Sequence, residues 1–258
     1  MKNKIMMICT ATIMLSAMGA YAQDPYEKDK GYQVGGLAKN GKATVSEFVS
    51  WILAEPEDEV LGPMSRAWKQ YLSHKPLDKG TTILLDEKNG YFRYDVDYDK
   101  KYEGEEGEPS ESTLYVELVV WNCADGQHKV LAENVGGTHK GKPMAGGQYD
   151  GIFFYLYEKA TQRIFLLNDA IDPKEIQSLV PSQEWQYDGK QYYYAIDYNT
   201  GQKKKMSSEE FDQWLNDRPV VVLSLPRIGK NIKASIVTTT GTIEKELVWD
   251  GYRFHLSK

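Results

Sequence analysis

Thr81-Thr82-Ile83-Leu84-Leu85-Asp86-Glu87-Lys88-Asn89-Gly90-Tyr91-Phe92-Arg93-Tyr94 decides the fold class of this 258-residue chain. An apolar run leads into Asn-Gly and then into an aromatic run. Asn-Gly tolerates the positive φ values that a two-residue hairpin turn needs. Related signals recur at Asp125-Gly126, Asp150-Gly151, Asp188-Gly189 and Asp250-Gly251, each with aromatic or β-branched residues nearby. Turns of this kind predict an α+β fold that is mostly antiparallel, a hairpin meander over residues 79–258, with any subdomain break near 170–182.

Helical spacing appears upstream, over residues 41–78. Thr44 and Glu47 have capping-box spacing, and Val45, Phe48, Val49 and Ile52 form an apolar stripe that ends before Pro56. Pro63 suits the first turn of a second helix, in which Met64, Trp68, Tyr71 and Leu72 recur until Pro76. This pair reads as cover for a sheet. Two shorter helices are expected within the meander. One opens at Asp172-Pro173 and closes at Pro181; the other opens at Ser207 or Ser208 with Glu210 and carries Phe211, Trp214 and Leu215.

The first residues speak of destination. Lys2 and Lys4 precede an apolar run from Ile5 to Met18, and Ala20-Tyr21-Ala22 sets small residues before Gln23. That is the layout of a cleaved signal peptide over residues 1–22, so the chain is expected in the periplasm or outside the cell. Residues 23–40 read as a flexible mature N-terminus. Only Cys123 lies beyond the leader, so an intramolecular disulfide is excluded and a buried thiol is expected.

The whole chain carries 31 basic and 37 acidic residues, a formal charge of −6. This balance argues against nucleic acid or an anionic membrane as the main partner. No second long apolar run is present, so no membrane span is expected. The 18 Tyr and 6 Trp favour strands and offer amphipathic contact area where exposed. Trp121, Trp185 and Trp249 are evenly spaced and each precedes an Asp-Gly turn, as a duplicated strand-turn-strand unit would arrange them.

Four constellations bear on chemistry. Gly136-Gly137-Thr138-His139-Lys140-Gly141-Lys142 has the glycine and lysine spacing of a phosphate loop, but Pro143 replaces the hydroxyl that would bind magnesium. The better reading is a long Gly-rich loop, Val135 to Gly147, whose His139 and Lys142 are binding candidates. Asp95, Asp97, Asp99, Glu103 and Glu106 fall in a calcium-loop register, but Lys100 stands where the loop needs Gly. Alternation with Tyr94, Val96 and Tyr98 explains the run as a half-solvated strand, so no cofactor is expected and calcium is the lesser alternative. Cys123 and His128 could form a dyad across the Asp125-Gly126 turn, although an ordinary hairpin accounts for the spacing. Leu225 to Ile232 is a basic turn between two strands, read as a solvated loop.

The strongest binding feature is aromatic. Tyr192, Tyr194, Ile196 and Tyr198 share one face of a strand, with Trp185 and Tyr187 just before the preceding turn. These observations predict a non-enzymatic exported protein that binds a protein, peptide or glycan through a sheet face and its loops. The alternatives are a secreted hydrolase with an unidentified carboxylate pair, and an inhibitor or assembly subunit that pairs an edge strand with its partner.

Overall fold

The computed structural model describes residues 32–33, 42–54, 61–102, 111–139, 142–144, 152–171, 175, 183–190, 192–197, 202–217, 220–238 and 241–257. The expected leader, the Asp150-Gly151 turn and, apart from Glu175, the expected helix after Pro173 lie outside them. The chain divides into two compact units: Met1–Asn168 with Leu225–Lys230, and Asp169–Ser224 with Asn231–Lys258. The fold is α+β and mostly antiparallel.

In the first unit, strands β1 (Tyr32–Gln33), β2 (Thr81–Asp86), β3 (Tyr91–Asp97), β4 (Ser112–Asn122), β5 (His128–His139), β6 (Lys142–Met144), β7 (Ile152–Glu158) and β8 (Arg163–Leu166) form one sheet. Its order is β1-β8-β7-β5-β4-β3-β2, with β6 paired to β5, and every pairing is antiparallel. Strands β4 and β5 pair without interruption from Ser112↔His139 to Asn122↔Lys129 and form its spine. Tyr32–Gln33, within the stretch expected to be a flexible N-terminus, pairs with Ile164 and Arg163 as an edge strand.

Helices α1 (Val45–Ile52) and α2 (Leu61–Leu72) cover one face. Both bonds of the capping box at the α1 start are made: Thr44 Oγ1 accepts from Glu47 N–H, and Glu47 Oε2 accepts from Thr44 N–H at 2.7 Å. Their apolar stripes meet Phe92, Tyr94, Val96, Val116, Leu118, Leu131 and Tyr157. Phe48 stands edge-on to Tyr157 at 5.2 Å, and Trp68 stands edge-on to Phe92 at 5.6 Å, favourable geometries for ring quadrupoles. Ser65 Oγ donates to the Leu53 carbonyl and Trp68 Nε1 donates to Ser50 Oγ, which ties the two helices together.

Two turn expectations need correction. The β2–β3 connection is not a two-residue turn. Glu87–Asn89 forms a 3₁₀ turn, Asp86 accepts from Asn89 N–H, and Gly90 ends it at φ 65°. Residues 135–139 of the expected Gly-rich loop are not loop either, because β5 continues through Gly136 and Gly137 to His139. The glycines are there for close approach. A Cβ on Gly136 would lie 2.4 Å from Tyr115 Oη, and one on Gly137 would lie 2.1 Å from the Thr113 carbonyl oxygen.

The Asp-Gly hairpins form as expected at three sites. In each, one aspartate oxygen accepts two backbone N–H groups further along the turn: Asp125 from Gln127 and His128, Asp188 from Lys190 and Tyr192, and Asp250 from Tyr252 and Arg253. Gly126, Gly189 and Gly251 take positive φ. The three evenly spaced tryptophans belong to three different sheets, with partners Trp121↔Val130, Trp185↔Ala195 and Trp249↔Phe254.

The second unit holds two small antiparallel sheets. One has order β11 (Lys203–Met206), β10 (Tyr193–Asp197), β9 (Gln183–Tyr187) and carries helix α4 (Ser208–Asp217); the short helix Tyr98–Lys101 of the first unit is α3. The other has order β12 (Val220–Ser224), β13 (Ile232–Thr238), β14 (Gly241–Trp249), β15 (Phe254–Leu256). Its buried face is Val221, Leu223, Ile232, Ala234, Ile236, Leu247, Trp249 and Phe254.

Gly137→Ala tests the strand assignment. Its methyl meets backbone, which cannot swing away, so a loss of about 1–3 kcal/mol is expected in denaturant unfolding. Unchanged stability would mean that β5 does not run through this position.

Candidate binding site

Strand β10 is the middle of its three-stranded sheet, and cross-strand register decides which aromatic residues share a face. Tyr193 pairs with Tyr187 and Met206, Tyr194 with Gln186 and Lys205, and Ala195 with Trp185 and Lys204. Residues directly opposite in an antiparallel pair point to the same side. Tyr187 therefore belongs with Tyr193, on the side away from Tyr194. The expected aromatic platform is split over two faces. Tyr198, and the side chain of Trp185, lie outside the described residues.

The two faces have different surroundings. Tyr193 stacks on Phe211 of α4 with centroids 4.1 Å apart and planes 5° from parallel. Tyr187 extends the stack at 4.9 Å on one end, and Trp214 at 5.7 Å on the other. Phe211 and Met206 are buried. Helix α4 is fixed at its start by a reciprocal cap, with Ser207 Oγ accepting from Glu210 N–H and Glu210 accepting from Ser207 N–H. The opposite face carries half-buried Tyr192, Tyr194 and Ile196, with exposed Gln186, Lys203 and Lys205 beside them. Lys205 Nζ lies 3.4 Å above the Tyr192 ring, a cation–π contact, and Lys203 Nζ donates to Gln186 Oε1 at 3.1 Å.

The other expected sites fare differently. His139 and Lys142 are brought opposite each other as the last pair of β5 and β6. They occupy a hairpin end rather than a phosphate-type loop. The acidic register is distributed among structural tasks. Asp95 takes both Nε and Nη2 of Arg93, Asp97 accepts from Lys100 N–H at the start of α3, and Asp99 accepts from Glu111 N–H. The Lys100 N–H bond holds the Asp97 carboxyl below its ordinary range. Glu103 and Glu106 lie outside the described residues. Among the described residues, no group of three His, Cys, Asp or Glu side chains is arranged to hold a metal.

Cys123 is buried, and burial pushes its thiol up to about 11, away from the reactive thiolate. His128 is held between carboxylates, Nδ1 at 2.6 Å from Asp125 and Nε2 at 3.7 Å from Glu158. The His128 bond brings Asp125 down to about 2. A second histidine is held alike: His255 Nε2 meets Asp250 at 2.9 Å and Nδ1 meets Glu175 at 3.4 Å. The Asp250 bond raises its pKa. The two carboxylates flank opposite ring nitrogens, so one ion could not take all three. The basic turn is not simply solvated, because Leu225 is buried, Arg227 pairs with Asp86, and the Lys230 carbonyl accepts from Trp121 Nε1.

Two buried carboxyls escaped the sequence reading. On the sheet face away from the helices, Glu117 accepts from Tyr91 Oη at 2.7 Å, Arg93 Nη1 at 2.8 Å and Asn134 Nδ2 at 2.8 Å. Arg93 lies 4.3 Å over the Tyr115 ring, the same ring that needs Gly136 beside it. One guanidinium thus pairs with both Asp95 and Glu117. On the helix face, Glu133 opposes Leu118 and Phe153, and its Oε2 has no hydrogen-bond partner among the described residues. Burial alone raises its pKa to about 8. The available signal was an acid beside an apolar residue in a strand. It does not reveal whether a partner waits across the sheet.

Glu133 makes stability depend on pH. Its folded carboxyl keeps a proton up to about 8, whereas the unfolded one loses it near the ordinary glutamate value of 4.5. Folding must take up that proton between these values, so the contribution is full below the lower value and declines as pH rises through the upper. Glu133→Gln should match the parent near the acidic limit and become progressively more stable than it towards pH 8, as read by denaturant midpoints. Parallel profiles would show that this carboxyl is not neutral in the folded state.

No family model matches the chain, and no curated protein or solved structure matches it.

Proposed function

We propose that the chain is an exported, non-enzymatic binding protein, trimmed after Ala22, that holds a protein, peptide or glycan ligand on the Tyr192–Tyr194 face of its three-stranded sheet. The observation that carries this reading is the division of labour within one strand. Tyr193 is committed to α4 through a 4.1 Å stack, while Tyr192 and Tyr194 lie half-exposed on the reverse side with two exposed lysines. Aromatic rings on a sheet stiffened from behind supply contact area at small entropic cost.

Support for a non-catalytic role comes from groups that might otherwise react. Cys123 is buried with a raised pKa, His128 lies between two carboxylates, and Asp95 and Glu117 share Arg93. A hydrolytic carboxylate pair must be open to its substrate, whereas these two are engaged by one guanidinium. No helix among the described residues is long and apolar enough to cross a membrane.

Two measurements test the proposal. The protein beginning at Gln23, screened on peptide and glycan arrays, should bind ligands that Tyr192→Ala/Tyr194→Ala binds about tenfold more weakly or worse, with an unchanged melting temperature. Equal binding by both proteins would remove this face from the function. Mass spectrometry of the product from its native cells should find it outside the cytoplasm and starting at Gln23; a cytoplasmic product that retains Met1 would refute export.

A further inference from the structure

We infer that the ligand of this face is an anionic glycan, a polysaccharide bearing carboxylates such as uronate. The inference rests on the platform reading above and deepens it. The chain as a whole is acidic, with a net charge of −6, yet strand β11 presents Lys203, Lys204 and Lys205 in succession, all exposed. Alternation sends Lys204 to the α4 side, whereas Lys203 and Lys205 share the face of Ile196 and Tyr194 by direct cross-strand pairing.

Those two ammonium groups do not simply extend into solvent. Lys205 Nζ lies over the Tyr192 ring, and Lys203 Nζ reaches across β10 to Gln186 on β9. Cation, ring face and amide therefore lie side by side on one surface. A sugar acid matches the three together. Its carboxylate answers the lysines, its C–H faces pack on the tyrosines, and its hydroxyls meet the Gln186 amide. On the edge remote from β11, the backbone of Ile196 pairs with Glu184. The positive side of the surface is the β11 side.

A row of lysines on an edge strand also discourages strand pairing, and that role alone would leave the lysines indifferent to their neighbours on the face. The Lys205–Tyr192 and Lys203–Gln186 contacts distinguish the two cases. They also favour a sugar over an acidic peptide, since a peptide recognised by strand addition would have to align its backbone along the very edge that the lysines protect.

Calorimetric titration of the protein beginning at Gln23 with polygalacturonate, a neutral glucan and poly-glutamate tests the inference. Polygalacturonate should bind, more weakly as salt rises, and about tenfold more weakly to Lys203→Gln/Lys205→Gln. Both lysines are exposed, so the variant should melt with the parent, and the melting temperature checks it. Binding of the glucan with no loss in the lysine variant would overturn the anionic ligand and leave the platform standing. Lysine-dependent binding of poly-glutamate in preference to polygalacturonate would overturn the glycan. Binding of none of the three, with Tyr192→Ala/Tyr194→Ala also without effect on the arrays, would overturn both readings.

Discussion

The β4–β5 ladder is the constraint on which the first unit depends. Its uninterrupted register from Ser112↔His139 to Asn122↔Lys129 fixes the face of every residue on both strands. Leu118 and Val116 go to the helices, and Glu117 and Asn134 go to the reverse side. A slip of one residue would exchange these sets, placing two polar groups under α1 and α2 and apolar side chains in the Arg93 network. The register is itself conditional on two glycines. At Gly136 and Gly137 the partner strand comes so close that any Cβ would collide with Tyr115 or with the Thr113 carbonyl. The Tyr115 ring that Gly136 accommodates is the ring on which Arg93 rests, so backbone approach and charge network are a single arrangement.

Glu117 and Glu133 show opposite ways of burying a carboxyl in one sheet. Glu117 receives three donors, one of them charged. Glu133, on the helix-covered side between Leu118 and Phe153, is driven towards its neutral form. The local sequences do not separate them, since each is an acid beside apolar residues in a strand. What differs is who stands opposite: Arg93 across from Glu117, and Leu118 across from Glu133.

The same distinction explains what could be read in advance. Local chemistry was legible. The Thr44–Glu47 box, the Ser207–Glu210 box and the three Asp-Gly turns among the described residues each involve residues a few positions apart, and each forms. The acid-aromatic alternation of Tyr94 to Asp97 was also legible, with Tyr94 and Val96 buried as expected. Non-local geometry was not. Gly-Gly suggests a loop when only its own chain is considered, and becomes a strand residue once Tyr115 and Thr113 are known to lie against it. Asn89-Gly90 suggests a two-residue turn, until the Asp86 carboxylate, three residues back, draws the backbone into a 3₁₀ turn. Trp185 and Tyr187 looked like companions of Tyr194 because they precede it closely, but their partners across the ladder are Ala195 and Tyr193.

That last point bears on how a three-stranded sheet can present a surface at all. Sheets this small are marginal in water unless a hydrophobic face is covered. Here the cover is α4, and the contact depends on the middle tyrosine of Tyr192-Tyr193-Tyr194. Tyr193 lies flat on Phe211, whose position is set by a capped helix start immediately after Met206, the residue paired with Tyr193 itself. The short path from β11 into α4 leaves the stack little freedom. Because side chains alternate, using Tyr193 as the anchor necessarily turns Tyr192 and Tyr194 the other way, where Lys203 and Lys205 are carried by the same alternation in the neighbouring strand. Stability of the sheet and composition of its open face are thus set by one choice of register, and neither can be altered by a one-residue slip without losing the other.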